Sequence, residues 1–273
     1  MMQRNKLDFA RLRGKRIMVV EDMELNQYLA RHILESWGCE VSIAVNGVEA
    51  LQFLEQFNFD CVLMDVQMPE MDGIEATQSI RQLADQAKAS IPIIAFTANT
   101  MNGDKEKYLA AGMNDYLAKP FDERRLFQVL AKFLIKNSNP EGNDPELNGT
   151  DQKTLDIPGQ ESKLYDLSLV QSVSEGDSEF LKKMILLFIK TVPQNVEELR
   201  KALQTENWDQ VRKMAHKLKS TVDSMGVKSI RQDIRLVESN AKDLISLDQI
   251  PSLVQKIEIV ISQCIEQLMK EIA

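Results

Sequence analysis

Eleven glycines occur among the 273 residues, yet none forms a Gly-x-Gly turn and none opens a phosphate-binding loop ending in Gly-Lys-Ser/Thr. A nucleotide-binding catalytic domain is therefore not expected. Any phosphate this chain handles comes from another molecule. Cysteine is scarce too. Cys39, Cys61 and Cys264 have no metal-ligand spacing and read as reduced thiols of a cytoplasmic protein. No apolar run approaches the roughly 18–20 residues of a membrane span. Met1 to Arg13 is polar and basic, without the apolar core of a signal peptide. The chain is thus expected to be cytoplasmic, with no membrane insertion. Positive charge is in deficit: Lys and Arg number 33 against 41 acids, for a net charge of −8. Nucleic acid is not an expected partner, because its recognition needs a basic patch. Only two histidines occur, His32 and His216.

What is present is a set of short apolar runs, each closed by a polar residue. Ile17–Val20 ends in Glu21-Asp22, Cys61–Met64 in Asp65, Ile93–Phe96 in Thr97, and Tyr116–Ala118 in Lys119. A further strand is expected at Glu40–Ala44. Helical patterns fall between the strands: Leu25–Trp37, a stretch ending near Gln56, Ile74–Asp85, Asp104–Ala111 and Glu123–Lys136. Buried runs alternating with helices predict a doubly wound α/β unit, with a five-stranded parallel sheet covered on both faces. In such a sheet, ligands lie outside the carboxyl ends of the strands. The four closing segments should therefore converge on one rim. Three acids, a hydroxyl and a lysine there suit a divalent cation and a phosphoryl group.

From Asn137 to Lys163 the composition turns to Asn, Pro, Gly, Asp and Glu, which predicts a flexible linker. Beyond it the chain reads as all-α, with four apolar stripes at helical spacing. They run through Phe180–Leu203, Trp208–Met225, Ile230–Ala241 and Ile250–Leu268. Four such helices predict an up-down bundle, capped by a shorter helix at Leu167–Val173. Pro193 is expected to kink or break the first helix, and Gly226 to stop the second. The two halves are expected to fold independently. His32, among polar neighbours, reads as an ordinary surface residue. His216 projects roughly 120° from the centre of its apolar stripe and should face solvent. Arg212, Lys213, Lys217 and Lys219 surround it in sequence.

These motifs carry a resemblance. Residues 15–135 resemble a two-component receiver domain, through Glu21-Asp22, Asp65 with Met68-Pro69 and Asp72-Gly73, Thr97-Ala98, and Lys119-Pro120. The resemblance implies Mg²⁺ bound by Asp22, Asp65 and the backbone carbonyl of Gln67, with Glu21 acting through water. It implies Asp65 as phosphoacceptor and Lys119 as a counter-charge. Small Ala98 would leave access to Asp65, and a cis peptide before Pro120 would aim Lys119. Thr97 and Tyr116 would form the switch, although Tyr116 also reads as a half-buried strand aromatic. Residues 164–273 resemble a histidine phosphotransfer (HPt) domain, through Ala215-His216-Lys217-Leu218-Lys219-Ser220 and Gly226. This implies His216 as second phosphoacceptor, with Arg212, Lys217, Lys219 and Ser220 on the docking face. The family usually has glycine four residues after the histidine. Ser220 departs from that pattern and is expected to slow transfer. The implied division is a receiver at 15–136, a linker at 137–163 and an HPt unit at 164–273.

Together the resemblances imply a phosphorelay protein. A histidine kinase would supply the phosphoryl group, Asp65 and His216 would carry it, and another response regulator would exchange it. The arrangement matches the C-terminal part of a hybrid sensor kinase or a free-standing protein. Three other readings stay open on sequence: a binding module with a vestigial His216, a phosphate sink, and a metal-dependent phosphatase. The phosphatase needs an acid two residues after Asp65, where Gln67 stands.

Overall fold

The computed structural model describes residues 8–97, 104–135, 163–174 and 176–272. Ala98 and all but the last residue of the expected linker lie outside these. The first unit runs β1 (Arg16–Val20), α1 (Glu24–Ser36), β2 (Glu40–Ala44), α2 (Gly47–Gln56), β3 (Cys61–Asp65), α3 (Gly73–Arg81), α4 (Gln86–Ala89), β4 (Ile93–Thr97), α5 (Asp104–Ala110), β5 (Asp115–Ala118) and α6 (Glu123–Leu134). All strands pair in parallel, in the order β2-β1-β3-β4-β5. The α/β expectation holds, with one short helix, α4, beyond the five foreseen.

Alternation within each strand builds two apolar layers. Ile17, Val19, Leu63, Ile94 and Phe96 face one side with α1 and α6. Met18, Val20, Val62, Met64, Ile93 and Ala95 face the other with α2 and α3. Because β3 and β4 are buried along their whole length, polar residues are tolerated only at their carboxyl ends. Helix starts are fixed by side-chain caps. Asn46 accepts from Glu49 N–H at α2, and Asp72 forms a reciprocal capping box with Glu75 at α3.

The second unit has α7 (Ser168–Ser174), α8 (Ser178–Gln204), α9 (Trp208–Ser224), α10 (Arg231–Asp243) and α11 (Ile250–Glu271). Pro193 does not break α8, which is continuous through it. Gly226 ends α9 at φ +65°. A Cβ there would sit 2.3 Å from the Asp166 carbonyl oxygen, so glycine is required on both counts.

The units pack together: α1 lies against α8 and α9, and one apolar cluster runs through both. His32 is not an ordinary surface residue. Its ring stacks on Phe180 at a centroid distance of 3.8 Å, and Tyr28 stacks on the same phenyl at 5.3 Å. Phe180 is left 1% exposed. The polar neighbours of His32 concealed this, because its apolar partner lies about 150 residues away in the chain.

Candidate phosphotransfer sites

The carboxyl ends of β1, β3, β4 and β5 do converge. Carboxylate oxygens of Glu21, Asp22 and Asp65 lie within 4.8 Å of one another. Lys119 Nζ donates to Asp65 Oδ2 at 2.6 Å and to Glu21 Oε2. It also lies 4.6 Å from the centre of the Phe96 ring. The Lys119-Pro120 peptide is cis, and Lys119 N–H donates to the Thr97 carbonyl, pinning the end of β5 to β4. Asp65 Oδ1 accepts from Gln67 N–H at 3.2 Å. Both oxygens of the expected phosphoacceptor are therefore engaged, and the residue is buried.

The electrostatics follow from burial. Desolvation pushes the Glu21 carboxyl up to about 8; Lys119 opposes the rise, and Asp65 and Asp22 add to it. Burial alone would depress the Lys119 ammonium, but Asp65 and Glu21 outweigh it and hold the lysine charged. Asp22 Oδ2 is buried and accepts no hydrogen bond. Lys217 Nζ lies 3.0 Å from it, off the line of a hydrogen bond, so their contact is a charge contact. A buried carboxylate oxygen that accepts no hydrogen bond, set among hard oxygen donors, fits Mg²⁺, which takes a few carboxylates and keeps water as its other ligands.

Thr97 is buried, and its hydroxyl lies 3.4 Å from the Tyr108 hydroxyl. Sequence reasoning missed Tyr108. Tyr116 is half-buried at the edge of the second apolar layer, with Lys105 Nζ 5.8 Å from its ring centre. Gly73 explains the Asp72-Gly73 motif. A Cβ there would meet the Asp65 carbonyl oxygen at 2.0 Å, so only glycine lets α3 begin against the end of β3.

His216 does not face solvent; it is 7% exposed. Helix α9 packs against α8, α10 and α1, and every residue from Leu218 to Ser224 is buried. An angular argument for one helix cannot foresee neighbours on three sides. The imidazole Nδ1 lies 2.6 Å from Glu238 Oε1, and Lys219 Nζ donates to Glu238 Oε2 at 2.6 Å. Burial would raise the Glu238 carboxyl, but His216 and Lys219 outweigh it and hold it at about 2. The carboxylate can only accept, so Nδ1 presents its hydrogen to it, and Nε2 is the ring nitrogen not held by Glu238. Glu238 was missed in the sequence. Its only signal is its place beside Val237, at the edge of the α10 stripe.

The expected basic surround is not a free patch. Lys219 is buried, Arg212 and Lys213 pair with Asp209, and Lys217 meets Asp22. Ser220 Oγ accepts from Asn26 Nδ2 of α1 at 3.2 Å.

Family comparison agrees with this geometry. The response regulator receiver domain profile matches residues 17–131, and the Hpt domain profile matches residues 183–271. The chain belongs to the phosphorelay proteins, as a receiver domain followed by an Hpt domain. It is 34% identical over 233 residues to the signal transduction histidine-protein kinase BarA of Escherichia coli K12, covering 83% of this chain and 24% of that one. It is 30% identical over 249 residues to the sensor histidine kinase GacS of Pseudomonas protegens, covering 87% and 26%. The chain thus spans about a quarter of the length of these relatives. Among solved structures, it is 41% identical to the receiver domain of a Pseudomonas aeruginosa sensor histidine kinase, described with a magnesium ion in its active site cleft. That match covers 44% of this chain and 98% of the other, with a TM-score of 0.41. No described helix is long and apolar enough to cross a membrane.

Proposed function

We propose that Asp65 takes a phosphoryl group from a phosphohistidine of a kinase and exchanges it with His216, which in turn exchanges it with another response regulator. The observation that carries this reading is the contact between Lys217 and Asp22. The residue next to His216 touches one of the three acids clustered with Asp65. In this reading the receiver spans 15–136, the linker 137–163 and the Hpt unit 164–273, in the cytoplasm. The chain acts as a phosphate carrier and depends on a separate ATP-using kinase domain.

In the first step an Asp65 oxygen attacks phosphorus, a P–O bond forms and the donor's P–N bond breaks. Asp22, Asp65 and the Gln67 carbonyl would hold Mg²⁺, with Glu21 assisting through water. The ion supplies positive charge to the transferring oxygens. Lys119 sits on Asp65 Oδ2 and supplies a second positive charge there. In the second step, His216 Nε2 attacks the acyl phosphate. The P–N bond forms, the P–O bond breaks and Asp65 is regenerated as carboxylate. No proton has to leave, because Nε2 enters as a lone pair and the Nδ1 proton stays on its bond to Glu238. Glu238 offsets the charge that the ring gains. Thr97 and Tyr116 are the groups we assign to the conformational response.

The test is to incubate the whole chain with a labelled small acyl phosphate and Mg²⁺. Label on Asp65 is released by alkali, and label on His216 resists it. Wild type is expected to carry both, His216→Gln only the alkali-sensitive label, and Asp65→Asn neither. Label that persists in Asp65→Asn, or in excess chelator, overturns the reading.

A further inference from the structure

Ser220 lies on the face of α9 that meets the receiver unit, and it is not idle. The side chain is 4% exposed, and Asn26, on the opposing receiver helix α1, is 3% exposed. Asn26 Nδ2 donates to Glu21 Oε1 at 3.0 Å and to Ser220 Oγ at 3.2 Å. Glu21 Oε1 also accepts from Met23 N–H at 3.2 Å, beside the Asn26 amide. Both amide hydrogens of Asn26 are then committed. Ser220 Oγ in turn donates to the Lys217 carbonyl at 3.3 Å, which fixes its role toward Asn26 as acceptor. Beyond this crossing the contacts continue from Glu21 through Lys119 to Asp65.

We propose that Ser220 is a specificity residue of the Hpt unit. It selects receivers whose first helix presents a carboxamide at the position of Asn26, of which this chain's own receiver is one. Glycine there would accept any small side chain. Serine favours a hydrogen-bond donor and leaves its own oxygen buried and unpaired against an apolar one, a mismatch that discriminates by the order of tenfold. The serine thus supplies selectivity at the docking face, where the sequence suggested only an obstruction. This inference rests on the transfer reading above for its consequence, but not for the contact itself.

The experiment uses two forms of the whole chain in trans. The donor carries His216→Gln and is labelled on Asp65; the acceptor carries Asp65→Asn and presents His216. Ser220→Ala in the acceptor and Asn26→Ala in the donor form a double-mutant cycle. Each single change is expected to raise KM for transfer about tenfold, and the pair together to be no worse than either alone. Effects that multiply, or a Ser220→Ala acceptor that matches wild type, would overturn the proposal. A second readout needs no transfer: hydrogen exchange of the α1 amides in the otherwise unaltered chain. Ser220→Ala and Asn26→Ala should speed it to the same extent, with no further gain when combined. Independent increments, or none, would overturn the pairing. If wild type moves no label while the exchange coupling persists, the contact stands as a docking determinant and the transfer reading is the one that fails.

Discussion

Lys217 Nζ lies 3.0 Å from Asp22 Oδ2, so the helix that carries His216 places a cation on the acid cluster of the receiver unit. Asp22 is nearly buried and Lys217 is about a third exposed. One carboxylate is thereby shared between docking and the cation site we assign to it.

Removing that lysine should free Asp22 for metal. Lys217→Ala is expected to tighten Mg²⁺ binding to the unphosphorylated chain by about threefold to tenfold, as read by calorimetry. The same variant should show weaker salt dependence of transfer to His216, since one charge contact is gone. Unchanged Mg²⁺ affinity would mean that the contact is too screened to matter.

Glu238 should set the acid limit of the bundle. Its carboxyl is held at about 2, below its ordinary 4.5. A depressed folded-state pKa gives stability that is present above pH 4.5 and lost as pH falls through about 2. Glu238→Gln should therefore cost about 3 kcal/mol at neutral pH, with the gap to wild type closing below pH 4.5. Thermal melts across pH check this. Glu238→Ala should also slow phosphorylation of His216 more than Glu238→Gln does, because glutamine can still accept from Nδ1.

Gly73→Ala should slow labelling of Asp65 by about a hundredfold without unfolding the chain. The added methyl would meet the Asp65 carbonyl oxygen at 2.0 Å, and the end of β3 must shift to make room. A displacement of about 1 Å is enough to lower positioned phosphoryl transfer by about a hundredfold. The comparison is labelling rate against circular dichroism for the same sample.

Phe180→Ala tests how the units are held. The phenyl fills the space under Tyr28 and His32, and its loss should cost about 3 kcal/mol. The deficit should appear in the unfolding of the intact chain and also as faster hydrogen exchange in α1. If α1 exchange is unchanged, the aromatic stack does not couple the two units.

The receiver half was legible because its chemistry sits at strand ends. A buried parallel strand tolerates polar residues only at its carboxyl end, and that end faces the site. Asp65, Thr97 and Lys119 could therefore be found by where each apolar run stops. Partners on separate helices leave no such trace. Tyr108 reaches Thr97 from α5, and Glu238 reaches His216 from α10, each from an ordinary position in its own helix.

By itself the sequence determined the parallel sheet, the helical bundle, the acid–lysine rim and the two candidate phosphoacceptors. The sheet, the bundle and the rim follow from local periodicity and from residue order along one strand or helix; the two phosphoacceptors follow from the resemblance to the receiver and Hpt families. Tertiary structure alone decided that His216 is covered, that His32 stacks on Phe180, that Lys217 meets Asp22 and that Ser220 accepts from Asn26. These are contacts among α1, the end of β1, α8, α9 and α10. Their partners lie from about 20 to nearly 200 residues apart in the chain. Helical periodicity sets which side of one helix is apolar, but it carries no information about which other helix will lie against the remaining sides.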